Sequence, residues 1–132
     1  MKRLLLIFTV VTAAFLTSCK DDIDGEIQLV TPEEMQALME LEDVQLVDVR
    51  TAQERLNGFI KNSQNIDFNS PTFDEDIEKL DKTKPVILYC HSGGRSKKCA
   101  EKLKNAGFIK IYDLKGGITQ WRFKDYYIEM PN

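Results

Sequence analysis

Cys90 ends the apolar run Pro85-Val86-Ile87-Leu88-Tyr89 and opens the loop Cys90-His91-Ser92-Gly93-Gly94-Arg95-Ser96, after which a helical pattern begins. A thiol at a strand end, facing successive backbone N–H groups and a helix N-terminus, is driven towards its thiolate. Gly93 and Gly94 let the chain curl with its amides inward, a nest able to hold an anion beside the sulfur. Arg95 adds a fixed charge whose fork suits an oxyanion. Residues of these types in this order are suited to a nucleophilic sulfur meeting an anionic substrate.

The elements around the loop follow from pattern and capping chemistry. Glu26 to Val30 reads as a short strand, and Thr31-Pro32-Glu33-Glu34 is a capping box with proline at the first helical position, so a helix is expected from Pro32. Met35, Leu38 and Met39 give that helix an apolar face for core packing. Val44 to Val49 has strand length and composition, and Thr51 with Glu54 repeats the capping box. A short strand is expected over Asn65 to Phe68, and Phe73, Ile77 and Leu80 share a helical face. Val86 to Tyr89 reads as a buried strand. A helix from Arg95 or Ser96 to Ala106 stops at Gly107, Ile109 to Leu114 is a further strand, and a last helix or turn surrounds Ile118 to Trp121. Strands alternating with crossovers of helical length imply an α/β fold, with a mainly parallel central sheet and helices on both faces. Ligands bind at the carboxyl ends of such strands, which is where Cys90 lies.

Composition bounds the alternatives. The chain has 132 residues, 42% of them hydrophobic, which suits a single domain. A formal charge of −3 without a Lys/Arg-rich block excludes nucleic acid as an expected partner. One histidine and two separated cysteines outside the N-terminal segment do not make a metal site, and neither metal nor cofactor is expected.

The N-terminal segment reads as an address. Lys2 and Arg3 precede an apolar run from Leu4 to Leu16 that is short for a membrane span, followed by Thr17-Ser18-Cys19. Leu16-Thr17-Ser18-Cys19 resembles the bacterial lipobox, which implies a lipoprotein signal peptide over residues 1–18 and lipidation of Cys19. The acidic stretch Lys20-Asp21-Asp22-Ile23-Asp24-Gly25-Glu26 reads as a tether over residues 19–26, with the folded domain over 27–132. Lys20-Asp21-Asp22 directly after such a cysteine also looks like the surface-export signal of Bacteroidetes-type lipoproteins. The implied location is extracytoplasmic: a bacterial membrane, most naturally the outer one, held through the anchor on Cys19 with the domain in the periplasm or at the surface.

Leu46-Val47-Asp48-Val49-Arg50, Glu54, Gly58-Phe59-Ile60, Asn65-Ile66, the Cys90 loop, Gly107-Phe108 and Leu114-Lys115-Gly116-Gly117-Ile118 with Trp121 together resemble a single-domain rhodanese. The resemblance implies a sulfurtransferase in which Cys90 takes a sulfane sulfur from a small-molecule donor such as thiosulfate. The persulfide would then pass it to a thiol or cyanide acceptor. It also implies that His91, Ser92, Gly93, Gly94 and Arg95 form the substrate cradle, and that Asp48 and Arg50 support it from the next strand end or serve as a structural ion pair. The expected working unit is a monomer. Three positions depart from the family pattern: Phe59 where a histidine is usual, Asn62 at a usual glycine, and Arg55 at a usual aromatic residue.

Two other functions share this fold. Cysteine-dependent phosphatases and arsenate reductases have five residues between cysteine and arginine, whereas Cys90 and Arg95 have four between them, a tighter ring that suits a sulfur atom. A non-enzymatic persulfide-sensing or interaction module is the other. His91 is either an acid–base partner of Cys90 or an exposed side chain tuning access. Cys99 falls at core spacing with Ala100 and Leu103, its alternative being a resolving thiol. Trp121 is expected to cover the sheet or to flank the pocket.

Overall fold

The computed structural model describes residues 25–132. The expected signal peptide, Cys19 and the Lys20-Asp21-Asp22 motif lie outside the described residues. Gly25 and Glu26 belong to the fold and not to a tether. Gly25 is buried so closely against the Phe108 carbonyl that a Cβ would collide with it, and Glu26 is the first residue of β1 (Glu26–Val30).

Elements alternate along the chain as α1 (Pro32–Leu41), β2 (Gln45–Asp48), α2 (Ala52–Arg55), β3 (Gln64–Asn65), α3 (Phe73–Ile77), β4 (Val86–Tyr89), α4 (Gly94–Asn105), β5 (Lys110–Leu114) and α5 (Gly117–Phe123). Both capping boxes form. The Glu34 and Glu54 amides donate to the Thr31 and Thr51 hydroxyls at 3.2 Å, and each glutamate accepts from its threonine's amide. The strand expected over Asn65 to Phe68 is only Gln64–Asn65. Beyond it the chain curls over the end of β2, the Ile66 and Phe68 amides donating to the Asp48 and Val49 carbonyls.

The sheet order is β1-β5-β4-β2-β3 and every pairing between named strands is parallel. The central strand β4 is buried along its whole length, as a strand covered on both faces must be. Its side chains alternate. Val86, Leu88 and then Cys90 face a core built with Phe73 and Ile77 of α3 and Cys99, Ala100 and Leu103 of α4. Ile87 and Tyr89 face the other core, with Met35 of α1 and Ile118 and Trp121 of α5. This alternation is what points the Cys90 side chain under α4. The C-terminal tail returns as an antiparallel bridge between Phe59 and Glu129.

Candidate active site

Cys90 leaves the carboxyl end of β4, and the next turn closes within three residues because Gly93 adopts a left-handed φ of 114° before α4 starts at Gly94. This turn aims the Gly93 amide at the Cys90 sulfur, 3.0 Å away. The thiol donates in turn towards the Ser96 hydroxyl at 3.5 Å, and that hydroxyl also donates to the Gly93 carbonyl at 3.3 Å. Burial opposes ionisation of a thiol. Here it is outweighed by the Ser96 hydroxyl and by the amides of Ser96, Gly93 and Ser92, so the Cys90 thiol lies below its ordinary value. Cys90 exposes only 1% of its surface, so a reagent must present a small, protruding atom to reach the sulfur.

The loop is held from three sides. On the first, Arg95 extends to α2 and binds Glu54 through two hydrogen bonds of 2.6 Å, filling the guanidinium fork that the sequence suggested for an oxyanion. Its charge still bears on Cys90, which contributes to raising the Arg95 pKa, Glu54 being the larger cause. On the second side, α5 reaches back to the loop carbonyls. The Ile118 amide donates to Cys90 O at 3.0 Å, and Thr119 donates to His91 O through its amide at 3.1 Å and its hydroxyl at 2.9 Å. That approach is open only because residue 117 is glycine: at φ 60°, a Cβ would collide with both loop carbonyls. The third side is the Asp48 cluster at the end of β2.

Asp48 is fully buried and saturated. It accepts from the Arg50 amide, Nε and Nη2 at 2.8 to 3.0 Å, from Arg55 Nη1 at 3.0 Å and from the Tyr89 hydroxyl at 2.9 Å. Burial works against the Arg50 charge, but Asp48 outweighs it and raises the Arg50 pKa. The Tyr89 hydroxyl is pushed up to about 12, by burial first and the Asp48 charge second. Arg50 also donates to the Gly58 carbonyl at 2.9 Å and borders the cavity beside the loop. Asp48 and Arg50 thus brace the strand end next to Cys90.

The departures from the family pattern explain one another. The Arg55 guanidinium lies over the Phe59 ring at 4.0 Å while pairing with Asp48 and with Ser63, so two unusual residues form one stacked, charge-paired unit. Asn62 has φ 67°, the left-handed conformation that favours glycine and that asparagine tolerates.

His91 is exposed and lines a cavity of about 510 Å³ together with Arg50, Glu54, Asn57, Ile118, Thr119 and Arg122. The cavity borders the loop at His91, and Cys90 is not among its lining residues. Trp121 does not line it. It packs in the α1/α5 core against Tyr126, its ring N–H donating to Tyr127 O at 2.9 Å. Cys99 is buried in the α4 core, and burial pushes its thiol up to about 12, which suits packing and not a resolving role. Among the described residues, no three His, Cys, Asp or Glu side chains are grouped as metal ligands would be.

Sequence reasoning did not place Glu54, Ser96, Gly117 or Thr119 at the site. Glu54 was visible as a cap, but its second partner lies 41 residues on. The Glu54 carboxyl is drawn down to about 2, chiefly by Arg95. A depressed carboxyl stabilises the fold above its unfolded value near 4.5, and the contribution fades as pH falls towards 2. Glu54→Gln is therefore expected to lower the thermal midpoint at neutral pH, with the gap to wild type closing between about pH 4.5 and pH 2. A gap that persists at acidic pH would mean the loss is not ionic.

A profile of the Rhodanese-like domain matches residues 31–124. The chain is 37% identical over 97 residues to the thiosulfate sulfurtransferase GlpE of Pseudomonas savastanoi, an alignment covering 74% of this chain and 89% of that one. It is 38% identical over 93 residues to a tRNA uridine(34) hydroxylase of Cytophaga hutchinsonii, covering 68% of this chain but 30% of that protein. Among solved structures it resembles a rhodanese-related protein from Thermoplasma volcanium, with a TM-score of 0.71 and 26% identity over 79% of this chain and 99% of that one. A five-stranded parallel sheet, a cysteine loop at its central strand and a profile match over most of the chain agree: the chain belongs to the rhodanese-like domain family.

Proposed function

We propose that this member of a sulfurtransferase family moves a sulfane sulfur through a persulfide on Cys90. The observation that carries the reading is the Gly93 amide set 3.0 Å from the sulfur, within a loop whose amides favour the thiolate. The Cys90 thiolate attacks the outer sulfur of a donor such as thiosulfate. A Cys90 sulfur–sulfur bond forms as the donor's own breaks, and sulfite leaves with the electron pair. A thiolate or cyanide then attacks the terminal sulfur of the persulfide, and Cys90 departs as the thiolate it was at the start. The loop amides stabilise the anion on the sulfur in both half-reactions. His91, Ser92, Gly93 and Gly94 form the rim past which donor and acceptor approach, while Arg95 contributes its field with its fork held by Glu54.

Mass measurement of the purified protein mixed with thiosulfate tests the reading. A gain of one sulfur atom on Cys90, reversed by cyanide, is expected. No adduct with any sulfane donor, together with Cys90-dependent hydrolysis of aryl phosphates, would favour oxyanion chemistry instead.

We place the protein outside the cytoplasm, held to a bacterial membrane by lipid on Cys19, on the strength of the lipobox resemblance alone. Cys19→Ala is expected to move the protein from the membrane to the soluble fraction on cell fractionation. An alanine variant that stays with the membrane would overturn the anchor.

A further inference from the structure

The cavity of about 510 Å³ beside the cysteine loop is larger than the sulfur chemistry above needs. Thiosulfate and cyanide are a few atoms each, whereas a hollow of this size lies in the range of small-molecule sites, about 300–1,000 Å³. It borders the loop at His91, so the body of a larger substrate has a place there while its sulfur reaches Cys90.

The walls carry an excess of positive charge. Arg50 and Glu54 both line the cavity and both are already matched, Arg50 to Asp48 and Glu54 to Arg95. Asp48 is shared with Arg55 as well, which leaves that cluster with a positive surplus. Arg122 lines the same cavity, and no carboxylate pairs with it among the described residues. Its guanidinium donates through Nη2 to the Asn57 carbonyl, a neutral partner that ties α5 to the turn after α2 and leaves the charge uncompensated. The other N–H groups of its fork have no partner among the described residues. Placement of Arg122 follows from the loop clamp. Ile118 and Thr119, whose amides hold the Cys90 and His91 carbonyls, lie four and three residues before it and so share its side of the helix.

We propose that Arg122 is a specificity-determining residue for the second half-reaction, binding the carboxylate of a small organic thiol that occupies this cavity with its sulfur at the Cys90 persulfide. A guanidinium with unfilled donors holds a carboxylate through paired N–H···O bonds, and a neutral thiol offers it nothing equivalent. In the step itself the acceptor thiolate attacks the outer sulfur of the persulfide. A sulfur–sulfur bond to the acceptor forms, the bond to Cys90 breaks, and its electron pair leaves on the Cys90 sulfur. The products are the acceptor's persulfide and the Cys90 thiolate. Arg122 takes no part in the bond exchange. The proposal rests on the sulfur-transfer reading and adds to it the chemical class of the acceptor.

The test compares kcat/KM for mercaptopropionate and for the neutral mercaptoethanol, with thiosulfate as donor and the full-length protein as enzyme. An exposed guanidinium–carboxylate pair contributes up to about fivefold in affinity. The acid-to-alcohol ratio is therefore expected to fall about fivefold in Arg122→Gln, through KM, and to recover in Arg122→Lys, which restores the charge. A general structural fault lowers both thiols together, so an unchanged ratio would overturn the proposal. Binding of methylthiopropionate, which has no thiol to react, reads the same site without sulfur transfer by nuclear magnetic resonance titration. Saturable binding to wild type is expected, weakened in Arg122→Gln and weaker for the neutral methylthiopropanol. No saturable binding, or binding indifferent to the substitution, would overturn the proposal whatever the kinetics. Arg122-dependent binding in a protein that transfers sulfur to no thiol would support the carboxylate site and count against the Cys90 persulfide, which keeps the two failures apart.

Discussion

Cys90→Ser is expected to abolish sulfur transfer, by about 10⁴-fold or more, the scale on which loss of a covalent nucleophile acts. The serine hydroxyl is nearly the size of the thiol. It can accept from the Gly93 amide and bond to Ser96 much as the sulfur does, so the loop keeps its contacts. It lacks an accessible anionic form near neutral pH, since the amides that lower a thiol cannot bring an alcohol into range. Thiosulfate-to-cyanide transfer with both substrates, beside circular dichroism and a melting curve, makes the check. Retained transfer in a folded serine variant would show that another residue carries the sulfur.

Gly117→Ala is expected to damage both fold and site without touching a reacting atom. The left-handed backbone there costs an alanine about 1–2 kcal/mol. The added Cβ must also displace the Cys90 and His91 carbonyls, at a packing cost of about 1–3 kcal/mol. Shifting those carbonyls shifts the sulfur, and a misplacement on the order of 1 Å can cost about 10²-fold in rate. The expected result is therefore a lower melting temperature and a kcat/KM lower by about two orders of magnitude. Gly94→Ala is the matched control for the fold: it has no positive φ and nothing within 4 Å of its Cβ position, so its melting temperature should be nearly unchanged. Equal losses of melting temperature from the two substitutions would mean that the α5 contact does not hold the loop.

How far the sequence led depends on whether a feature is local. Both capping boxes, the strand ending at Tyr89 and the stop at Gly107 follow from residues within a few positions, and they stand where expected. Cys90 and the glycines beside it are local too. The Asn65 to Phe68 strand is shorter than its pattern because the chain turns there to bond the end of β2, a tertiary demand that propensity does not contain. Arg95 shows the same limit at the site: its charge was legible, while the partner that occupies it sits in another helix. Asp113 gave no motif at all. Its carboxyl is buried only in the folded sheet, and burial, not spacing, raises its pKa.

The α5 clamp makes the reactivity of Cys90 a property of the completed chain. The carbonyls of Cys90 and His91 obtain these partners only from residues beyond Gly117, so a nascent chain that has emerged as far as β5 carries the cysteine without the braces that fix its loop. Until then the Cys90 and His91 carbonyls lack the donors that fix the loop. A cut after Leu114 should therefore loosen the Cys90 loop even if the sheet survives.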